Sequence, residues 1–284
     1  MKIIIFPNMK KPEAAETLVN TAEMLIKRGA EVFCPLGISG KINLPGVTFT
    51  DTNSLKADFI IAVGGDGTIL KSCRKASADG TPLLGINTGR LGFMASAERT
   101  ELHLLEKLFT GDFTIENRMM LKAEIFRDRD LIFSSAALNE ITISTIYSKI
   151  ADFEVSIDSG KVSSVRADGI VIATPTGSTA YALACGGPIV EPGCKSIQVT
   201  PLCPHSLFSR TMIFSDDREI TVTCPRGSND NTQIFVSTDG REQKPFYAKD
   251  YLKIKKSKET LRLIDIKGNT FFNAVNEKLM RSIK

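Results

Sequence analysis

The chain has 284 residues, 42% of them hydrophobic and 24% charged, with a formal net charge of +4 and no tryptophan. This length suits two domains that each bury a core, and no apolar run approaches the roughly 18–20 residues of a membrane span. The small charge and the lack of a basic stretch rich in aromatic residues disfavour nucleic-acid binding. We expect a cytoplasmic globular protein with no membrane or nucleic-acid partner, whose mild positive excess is compatible with phosphate-bearing small molecules.

Six cysteines occur in the chain, and none belongs to a CxxC pair. Cys194 and Cys203 also lie outside any zinc-ligand spacing with the two histidines. We therefore expect free thiols in a reducing compartment, and no metal held by a cage of protein side chains.

The first part of the chain alternates predicted strands with predicted helices. Strands are predicted at residues 2–6, 31–34, 58–63 and 83–86. Helices are predicted from Pro12 to Gly29, after Gly67 and over residues 98–109. The first helix carries an apolar face of Ala15, Leu18, Val19, Ala22, Leu25 and Ile26. This alternation predicts a parallel sheet covered by helices, in a Rossmann-like α/β domain over residues 1–110.

After Gly111 the pattern changes to short strands separated by turns. These are predicted at residues 120–126, 131–137, 153–157, 161–165, 170–173, 221–224, 234–237 and 251–255. Helical character interrupts them only at residues 176–184, so we expect a larger, all-β domain over residues 111–265. Phe271, Phe272, Val275 and Leu279 follow at helical spacing. We expect the final segment, 266–284, to form a helix that packs back on the first domain.

A glycine-rich loop follows the third predicted strand, with the sequence Gly64-Gly65-Asp66-Gly67-Thr68. Glycines let backbone N–H groups close round a phosphate, and the positive end of the following helix points to the same place. A carboxylate beside phosphates is repelled unless it binds a metal or takes a proton from a nucleophile, and both roles fit phosphoryl transfer. The alternative, in which Asp66 only caps the helix, needs one glycine rather than three. Neither GxGxxG nor a Walker A motif occurs, which disfavours a dehydrogenase.

Three further segments carry polar residues beside predicted strands. Residues 85–93 form a second glycine-punctuated loop, which at the end of a neighbouring parallel strand would lie beside the first. Asn139 and Glu140 are adjacent. The amide of Asn139 can hydrogen-bond to the edge of an adenine ring, and the carboxylate of Glu140 can accept hydrogen bonds from ribose hydroxyls. Residues 166–181 lead into a run of small hydroxyl residues at a helix start, where Tyr181 can pack its ring against a base. The alternative for residues 85–93 is a plain strand–helix connection, and the alternative for residues 166–181 is ordinary helix capping.

These motifs resemble those of the NAD kinase family. Residues 64–68 match its GGDG motif, 87–93 its NTGRLGF stretch, 139–140 its NE motif and 168–188 its signature DG…TPTGSTAY…GGP. Residues 204–207 and Arg210 are similar to its PHSL segment. GGDG alone is shared with lipid kinases and phosphofructokinases, whereas the long signature is specific to NAD kinases. The landmarks occur in family order over residues 60–210.

The resemblance implies roles for individual residues. It implies Asp66 as the proton acceptor, with Gly67 and Lys71 near the dinucleotide or the donor phosphates. The phosphate loop would consist of Gly64, Gly65, Gly67 and Thr68. Contacts to NAD are implied for Asn139, Glu140, Asp168, Thr179, Ala180, Tyr181, Ala182, Leu183 and Ala184. Lys149, Arg166 and Arg241 align with polar or basic positions that touch the ligand.

The implied activity is phosphorylation of the 2′-hydroxyl of the adenosine ribose of NAD, which gives NADP. ATP, another triphosphate or polyphosphate would be the donor, with Mg²⁺ bridging its phosphates, and NAD would lie in the crevice between the domains. The implied assembly is a homodimer or homotetramer in which Asp168 reaches the NAD held mainly by a neighbouring chain's Asp66. Two alternatives are a lipid kinase, which leaves TPTGSTAY unexplained, and a module that senses NAD without turnover, which gains little from Asp66.

Overall fold

The computed structural model describes residues 1–89, 92–146, 149–158, 160–226, 233–268 and 270–277. Within them the chain forms two compact units, one from Met1–Asn117 and Glu259–Lys284 and the other from Arg118–Lys258. Both divisions fall inside long strands, Thr114–Arg127 and Asp250–Asp265. The domain limits expected from the sequence, after residues 110 and 265, stand where the pattern of predicted elements changes. Such a pattern does not show that one strand belongs partly to one unit and partly to the other.

A parallel sheet forms the centre of the first unit. Its strands are β1 (Lys2–Pro7), β2 (Glu31–Pro35), β3 (Val47–Thr50), β4 (Phe59–Gly64), β5 (Leu83–Asn87), β6 (Ala97–Glu98) and the last part of β18 (Asp250–Asp265). Their order is β18-β5-β4-β1-β2-β3, with β6 also beside β5, and all these pairings are parallel. The predicted parallel sheet is confirmed. Because the chain runs from β1 out to β3 and then returns to the other side of β1, the strand order switches between β1 and β4, where such sheets bind ligands.

The helices of the first unit differ in part from the prediction. α1 (Pro12–Lys27) buries Ala14, Leu18, Ala22 and Leu25, so its buried face begins one residue earlier than predicted. α2 (Asp66–Asp79) starts in the first glycine loop, as predicted. The helix predicted at residues 98–109 is wrong in extent, because the backbone of residues 97–99 pairs with β5. Only a 3₁₀ turn, Leu102–Glu106, and α3 (Lys107–Thr110) follow.

Antiparallel strands dominate the second unit. They are β7 (Thr114–Arg127), β8 (Asp130–Ala137), β9 (Glu140–Thr145), β10 (Ala151–Ile157), β11 (Gly160–Ala167), β12 (Gly169–Ala173), β13 (Ser196–Leu202), β14 (Met212–Ser215), β15 (Ile220–Thr223), β16 (Ile234–Thr238) and β17 (Glu242–Phe246). One ladder has the order β14-β13-β12-β9-β16-β17, and another has the order β11-β10-β15 followed by the first part of β18. The predicted β-rich character is confirmed.

The core of the second unit combines side chains from both ladders. Phe153 of β10, Ile172 of β12 and Leu252 of β18 are fully buried members of this one cluster. Helical structure lies where the sequence predicted it, in a 3₁₀ turn, Thr176–Thr179, and in α4 (Tyr181–Ala184). The core therefore supports β9 and β12, the strands that carry the NE motif and lead into the TPTGSTAY segment.

The last described helix is α5 (Thr270–Val275), which belongs to the first unit. Phe271 and Ala274 are buried, whereas Phe272 is 52% exposed. Residues three apart share a helix face, whereas adjacent residues point about 100° apart. The buried face therefore contains Phe271 and Ala274 and not the predicted pair of Phe271 and Phe272. Leu279, also predicted for this face, lies outside the described residues. Among the helices of the described residues, none has the length and apolar composition needed to cross a membrane.

Gly85 in the middle of β5 lets α2 approach the sheet closely. A Cβ atom at this position would lie 2.4 Å from Ile69 Cδ1 and 3.0 Å from the Cα atom of Ala95. We predict that Gly85→Ala lowers the free energy of unfolding by about 1–3 kcal/mol through overpacking, as measured by denaturant titration. Gly37→Ala is the matched control, since a Cβ atom there meets open space. An equal loss in both variants would contradict this account.

Candidate active site

The first glycine loop leaves β4 and enters α2 through three glycines with different surroundings. A Cβ atom on Gly64 would lie 2.2 Å from Thr68 Oγ1 and 3.1 Å from Asn8 Cβ, so only glycine fits there. A Cβ atom added to Gly65 or Gly67 would have no atom of the described residues outside its own neighbours within 4 Å. The backbone over these two residues is therefore accessible at the start of a 14-residue helix, whose positive end favours an anion such as phosphate.

The carboxylate of Asp66 is held by the second glycine loop. Asp66 Oδ2 accepts the backbone N–H of Phe93 at 2.9 Å, and Oδ1 accepts that of Met94 at 3.3 Å. A Cβ atom on Gly92 would lie 2.1 Å from Asp66 Oδ1. The loop can therefore approach the carboxylate this closely only with glycine at position 92. Two hydrogen bonds leave further lone pairs on the carboxylate. Asp66 thus joins two loops and can still accept a proton from a bound alcohol.

The second loop is itself tied to the strands beside it. Asn87 Nδ2 donates to the Glu98 carboxylate at 2.9 and 3.2 Å and to the carbonyl oxygen of Gly89 at 3.2 Å. The N–H of Thr88 donates to the carbonyl oxygen of Gly64 at 3.1 Å. The sequence expectation that the two loops lie side by side at the ends of neighbouring parallel strands is therefore confirmed. Arg90 and Leu91 of this loop lie outside the described residues.

Lys71 and Thr68 lie on α2 after the loop. Thr68 is buried and packs on Gly64, while Lys71 is exposed. Lys71 follows Asp66 by five positions, which is about 140° round the helix from it. The structure therefore brings Thr68 to the loop and leaves Lys71 on another face.

Glu140 begins β9 in the second unit and Asn139 precedes it, and each has an unpartnered side-chain oxygen. The two residues are 8% and 7% exposed. Asn139 Oδ1 and Glu140 Oε2 have no hydrogen-bond partner among the described residues. Burial and then the negative charge of Asp239 raise the pKa of Glu140 to about 7, against a lowering effect of the Tyr181 backbone N–H. Buried acceptors without partners are rare and favour a role in binding donors from outside the chain.

The TPTGSTAY segment packs directly on the backbone of this pair. The N–H of Thr174 donates to the Asn139 carbonyl oxygen at 2.9 Å, and Thr174 Oγ1 donates to that of Leu138 at 2.6 Å. A Cβ atom on Gly177 would lie 2.0 Å from the Asn139 carbonyl oxygen, so glycine is required for this close approach. The sequence-predicted NE and TPTGSTAY motifs are thus brought together.

The residues from Thr179 to Ala184 vary in accessibility. Ala182 is fully buried, Tyr181 is 42% exposed and Ala184 is exposed. Thr179, Ala180 and Leu183 are half-buried. This short stretch can therefore offer Tyr181 and its half-buried neighbours to a ligand, whereas Ala182 serves the core.

Asp168, Arg166 and Lys149 lie at the other end of the same strands. β12 pairs antiparallel with β9, so Ala173 faces Glu140 whereas Gly169 faces Ser144. Four residues of strand, roughly 13 Å, separate these ends. The carbonyl oxygen of Asp168 accepts the N–H of Thr145 at 2.8 Å. The negative charge of Asp168 still contributes to the raised pKa of Tyr181, after burial and two cysteines.

The basic residues of the predicted site are exposed. Arg166 has a side chain that is 64% exposed and lies 3.9 Å from Asp152. Lys149 and Arg241 are exposed as well. Burial raises the pKa of the Asp239 carboxyl, against the lowering effects of the backbone N–H groups of residues 138–140 and of the positive charge of Arg241. Within the described residues, no group of three or more His, Cys, Asp or Glu side chains is arranged to hold a metal ion.

Comparison with known proteins assigns the family. The model of the ATP-NAD kinase N-terminal domain matches residues 3–113, and that of the ATP-NAD kinase C-terminal domain matches residues 138–266. An NAD kinase of Thermoanaerobacter pseudethanolicus is 37% identical over 282 residues, with 98% of each chain covered. One of Moorella thermoacetica is 34% identical over 280 residues, which is 98% of this chain and 89% of that one. The chain belongs to the NAD kinase family.

Solved structures of NAD kinases share the fold. Yeast NADH kinase, solved in complex with NADH, matches with a TM-score of 0.88 at 24% identity and covers 100% of this chain and 89% of its own. An NAD kinase from Archaeoglobus fulgidus, solved in complex with ATP, matches with a TM-score of 0.71 at 25% identity over 100% of this chain and 99% of that one. The α/β and β-rich parts of this NAD kinase family member are those of its relatives.

Motifs alone did not identify two features of this NAD kinase family member. Gly92 belongs to the NTGRLGF stretch, but the stretch does not show that Gly92 lies against Asp66. Asp239 precedes Gly240 between two predicted strands, which is a turn signal, and its φ of 49° confirms a left-handed turn residue. A turn signal does not reveal that the Asp239 carboxylate binds a segment 100 residues earlier in the chain.

The raised pKa of Glu140 makes stability depend on pH in a defined direction. A carboxyl whose pKa rises from 4.5 to about 7 on folding holds an extra proton in the folded state between these values. The free energy of unfolding therefore falls as the pH rises through this window, and the cost is fully present above it. We predict that Glu140→Gln raises the free energy of unfolding by about 2–3 kcal/mol near pH 8 and by much less near pH 5.

Denaturant titrations of both proteins at the two pH values measure this effect. Glu23→Gln, at an exposed position on α1, is the control for loss of a carboxylate. The same gain at both pH values would contradict the assignment of the effect to a buried ionised Glu140.

Proposed function

We propose that this NAD kinase family member transfers a phosphoryl group to the 2′-hydroxyl of the adenosine ribose of NAD and so forms NADP. The observation that carries the proposal is the Asp66 carboxylate, fixed by the N–H groups of Phe93 and Met94 beside an open glycine loop. A loop that only binds phosphate does not need a carboxylate there, whereas phosphoryl transfer to an alcohol needs a group that accepts the proton of the alcohol. Membership of the NAD kinase family supports NAD as that alcohol.

In this mechanism the oxygen of the ribose 2′-hydroxyl attacks the terminal phosphorus of the donor, and Asp66 takes the proton of that hydroxyl. The bond from that phosphorus to the leaving phosphate oxygen breaks at the same time, and the leaving group departs with the electron pair. Backbone N–H groups of Gly65 and Gly67 and the start of α2 bind phosphate oxygens. Asn139 and Glu140 accept hydrogen bonds from donors on the adenosine half of NAD.

ATP is the proposed donor, with polyphosphate as the alternative. The ATP complex of the Archaeoglobus relative supports ATP. Asp66 is the one acidic residue of the loop from Gly64 to Thr68, so we propose that it would be the candidate ligand of Mg²⁺, which would supply positive charge that offsets the charge of the donor phosphates. We also propose a role in NADP biosynthesis and a cytoplasmic location. The six free cysteines support the second of these, because thiols stay reduced in the cytoplasm.

Purified protein with Mg²⁺, NAD and each donor in turn tests the activity directly. NADP-specific detection should show product with ATP or polyphosphate. No NADP with any donor would overturn the proposed function. Parallel reactions with NADH establish which form of the dinucleotide is preferred.

Asp66→Asn tests the proposed proton transfer. The amide keeps the size of the side chain but removes the base, so we predict a fall in kcat of roughly 10²–10⁴-fold, with the Kd for NAD changed only a few-fold. Steady-state kinetics and calorimetric titration with NAD measure the two quantities. An unchanged kcat would assign Asp66 a purely structural role.

We propose further that the protein is a homodimer or homotetramer whose sites are shared. Two observations support this: Asp168 lies at the opposite end of β9 and β12 from Glu140, and Leu207 and Phe208 are 86% and 90% exposed. The sheet edges β14 and β17 also remain available for pairing. In the shared arrangement Asp168 reaches the NAD held mainly by a neighbouring chain's Asp66.

Mixing two inactive chains tests the sharing. When Asp66→Asn and Asp168→Asn chains are co-expressed, random pairing makes about half of the dimers mixed, and each mixed dimer has one site without a lesion. Activity should recover to about a quarter of the wild-type value, measured as NADP formed per site. If verified mixed oligomers stay inactive, both aspartates act in the same chain and the sharing is wrong.

A further inference from the structure

The turn between β16 and β17 places one carboxylate against the backbone of the NE motif. Asp239 Oδ1 accepts the N–H groups of Asn139 at 2.8 Å and Glu140 at 3.3 Å, and Oδ2 accepts that of Leu138 at 3.0 Å. The backbone N–H of Asp239 donates in return to the carbonyl oxygen of Glu140 at 2.9 Å. One residue is thereby joined to three consecutive residues of another segment.

This connection fixes the backbone and leaves one oxygen of each NE side chain without a partner among the described residues. On the other side of residues 138–140, Thr174 binds the carbonyl oxygens of Leu138 and Asn139. Asn139 Oδ1 and Glu140 Oε2 nevertheless have no partner among the described residues, although both residues are more than nine-tenths buried. Unpartnered buried acceptors would relax toward nearby donors unless the backbone holds them. The Asp239 carboxylate supplies that restraint.

We propose that Asp239 is a positioning residue for NAD recognition, whose carboxylate holds residues 138–140 so that Asn139 and Glu140 present their free oxygens to the adenosine half of NAD. The inference rests on the proposed function of this site. Asp239 acts through the NE pair, since its own carboxylate is occupied by three backbone N–H groups. The donors to be recognised are the exocyclic amino group of adenine and the ribose hydroxyls.

The negative charge of Asp239 gives the role a second, measurable consequence. Burial is the main cause of the raised pKa of Glu140, and Asp239 adds to it. The other titratable groups facing Glu140 are Tyr181 of α4 and Cys185, which follows α4, while Arg241 faces Asp239. Because all but Arg241 are neutral or negative, removal of the Asp239 charge lowers the pKa of Glu140.

Asp239→Asn tests the proposal without straining the turn. Asp239 has a φ of 49°, and asparagine adopts this left-handed region readily. The amide oxygen can still accept an N–H, but the amide nitrogen cannot accept that of Leu138. We expect the KM for NAD to rise roughly 5- to 100-fold, with kcat changed by less than about 3-fold. The acid limb of the kcat/KM profile should also move to lower pH.

Asp158→Asn is the matched control. Asp158 also occupies a turn of the second unit with a φ of 46°. Its carboxylate likewise accepts a backbone N–H, that of Glu219 at 3.1 Å, and it also pairs with Arg218. This variant should keep the wild-type KM and pH profile. A second test variant, Asp239→Gly, keeps the backbone conformation and removes the carboxylate altogether, and it should raise the KM at least as far.

The outcomes separate the inference from the proposed function. If the wild-type protein makes no NADP, the function fails, and calorimetric Kd values for NAD still test the positioning role. If both Asp239 variants keep the wild-type affinity and pH profile, or lose kcat with KM unchanged, the inference is wrong. Loss of the native thermal transition in both variants, with Asp158→Asn folded, would also overturn it, because Asp239 would then be a stability residue.

Discussion

The hydrogen bonds from the N–H groups of Phe93 and Met94 to the Asp66 carboxylate are the interaction on which the site depends. A carboxylate beside phosphate groups is repelled by them, and two N–H dipoles offset part of its charge. These bonds require the two glycine loops to be neighbours, which the parallel pairing of β4 with β5 provides. They also require Gly92, because a side chain there would occupy the space of the carboxylate. The sheet order, the loop glycines and the position of the Asp66 carboxylate therefore depend on one another.

The second unit uses the same physical device for a different purpose. Asp239 takes up the backbone donors of the NE segment, and the side-chain oxygens of that segment stay unpartnered. A buried, ionised Glu140 destabilises the fold by about 2–3 kcal/mol, a sizeable fraction of the roughly 5–15 kcal/mol by which a typical domain is stable. The fully buried cluster that includes Phe153 and Ile172 offsets this cost. The unit thus retains polar groups that are costly for folding and suited to binding donors.

Sequence predicted the local features of this molecule and missed the distant ones. Strands β1, β4 and β5 were predictable because they are uninterrupted apolar runs, buried on both faces, and the GGDG loop because its glycines break such a run. The helix expected over residues 98–109 was placed too far toward the N-terminus, because pairing of Ala97–Glu98 with β5 overrides helical periodicity there and helical turns begin only at Leu102. Asp239 was missed because the N–H groups that it binds are 99 to 101 residues away. No local pattern encodes such a pairing.

The site holds its polar side chains mainly through backbone groups, and this has a consequence for which substitutions it tolerates. Phe93 and Met94 contribute N–H groups to Asp66, and any residue other than proline supplies those equally. Glycine has no such substitute at positions 64, 92 and 177, where a Cβ atom would come within 2.2 Å of another atom. Within each unit, the sensitivity of these segments to substitution should therefore follow backbone clearance more closely than side-chain chemistry, apart from Asp66 in the first unit and Asn139, Glu140 and Asp239 in the second. These four carry the charges and amide groups that no backbone group replaces.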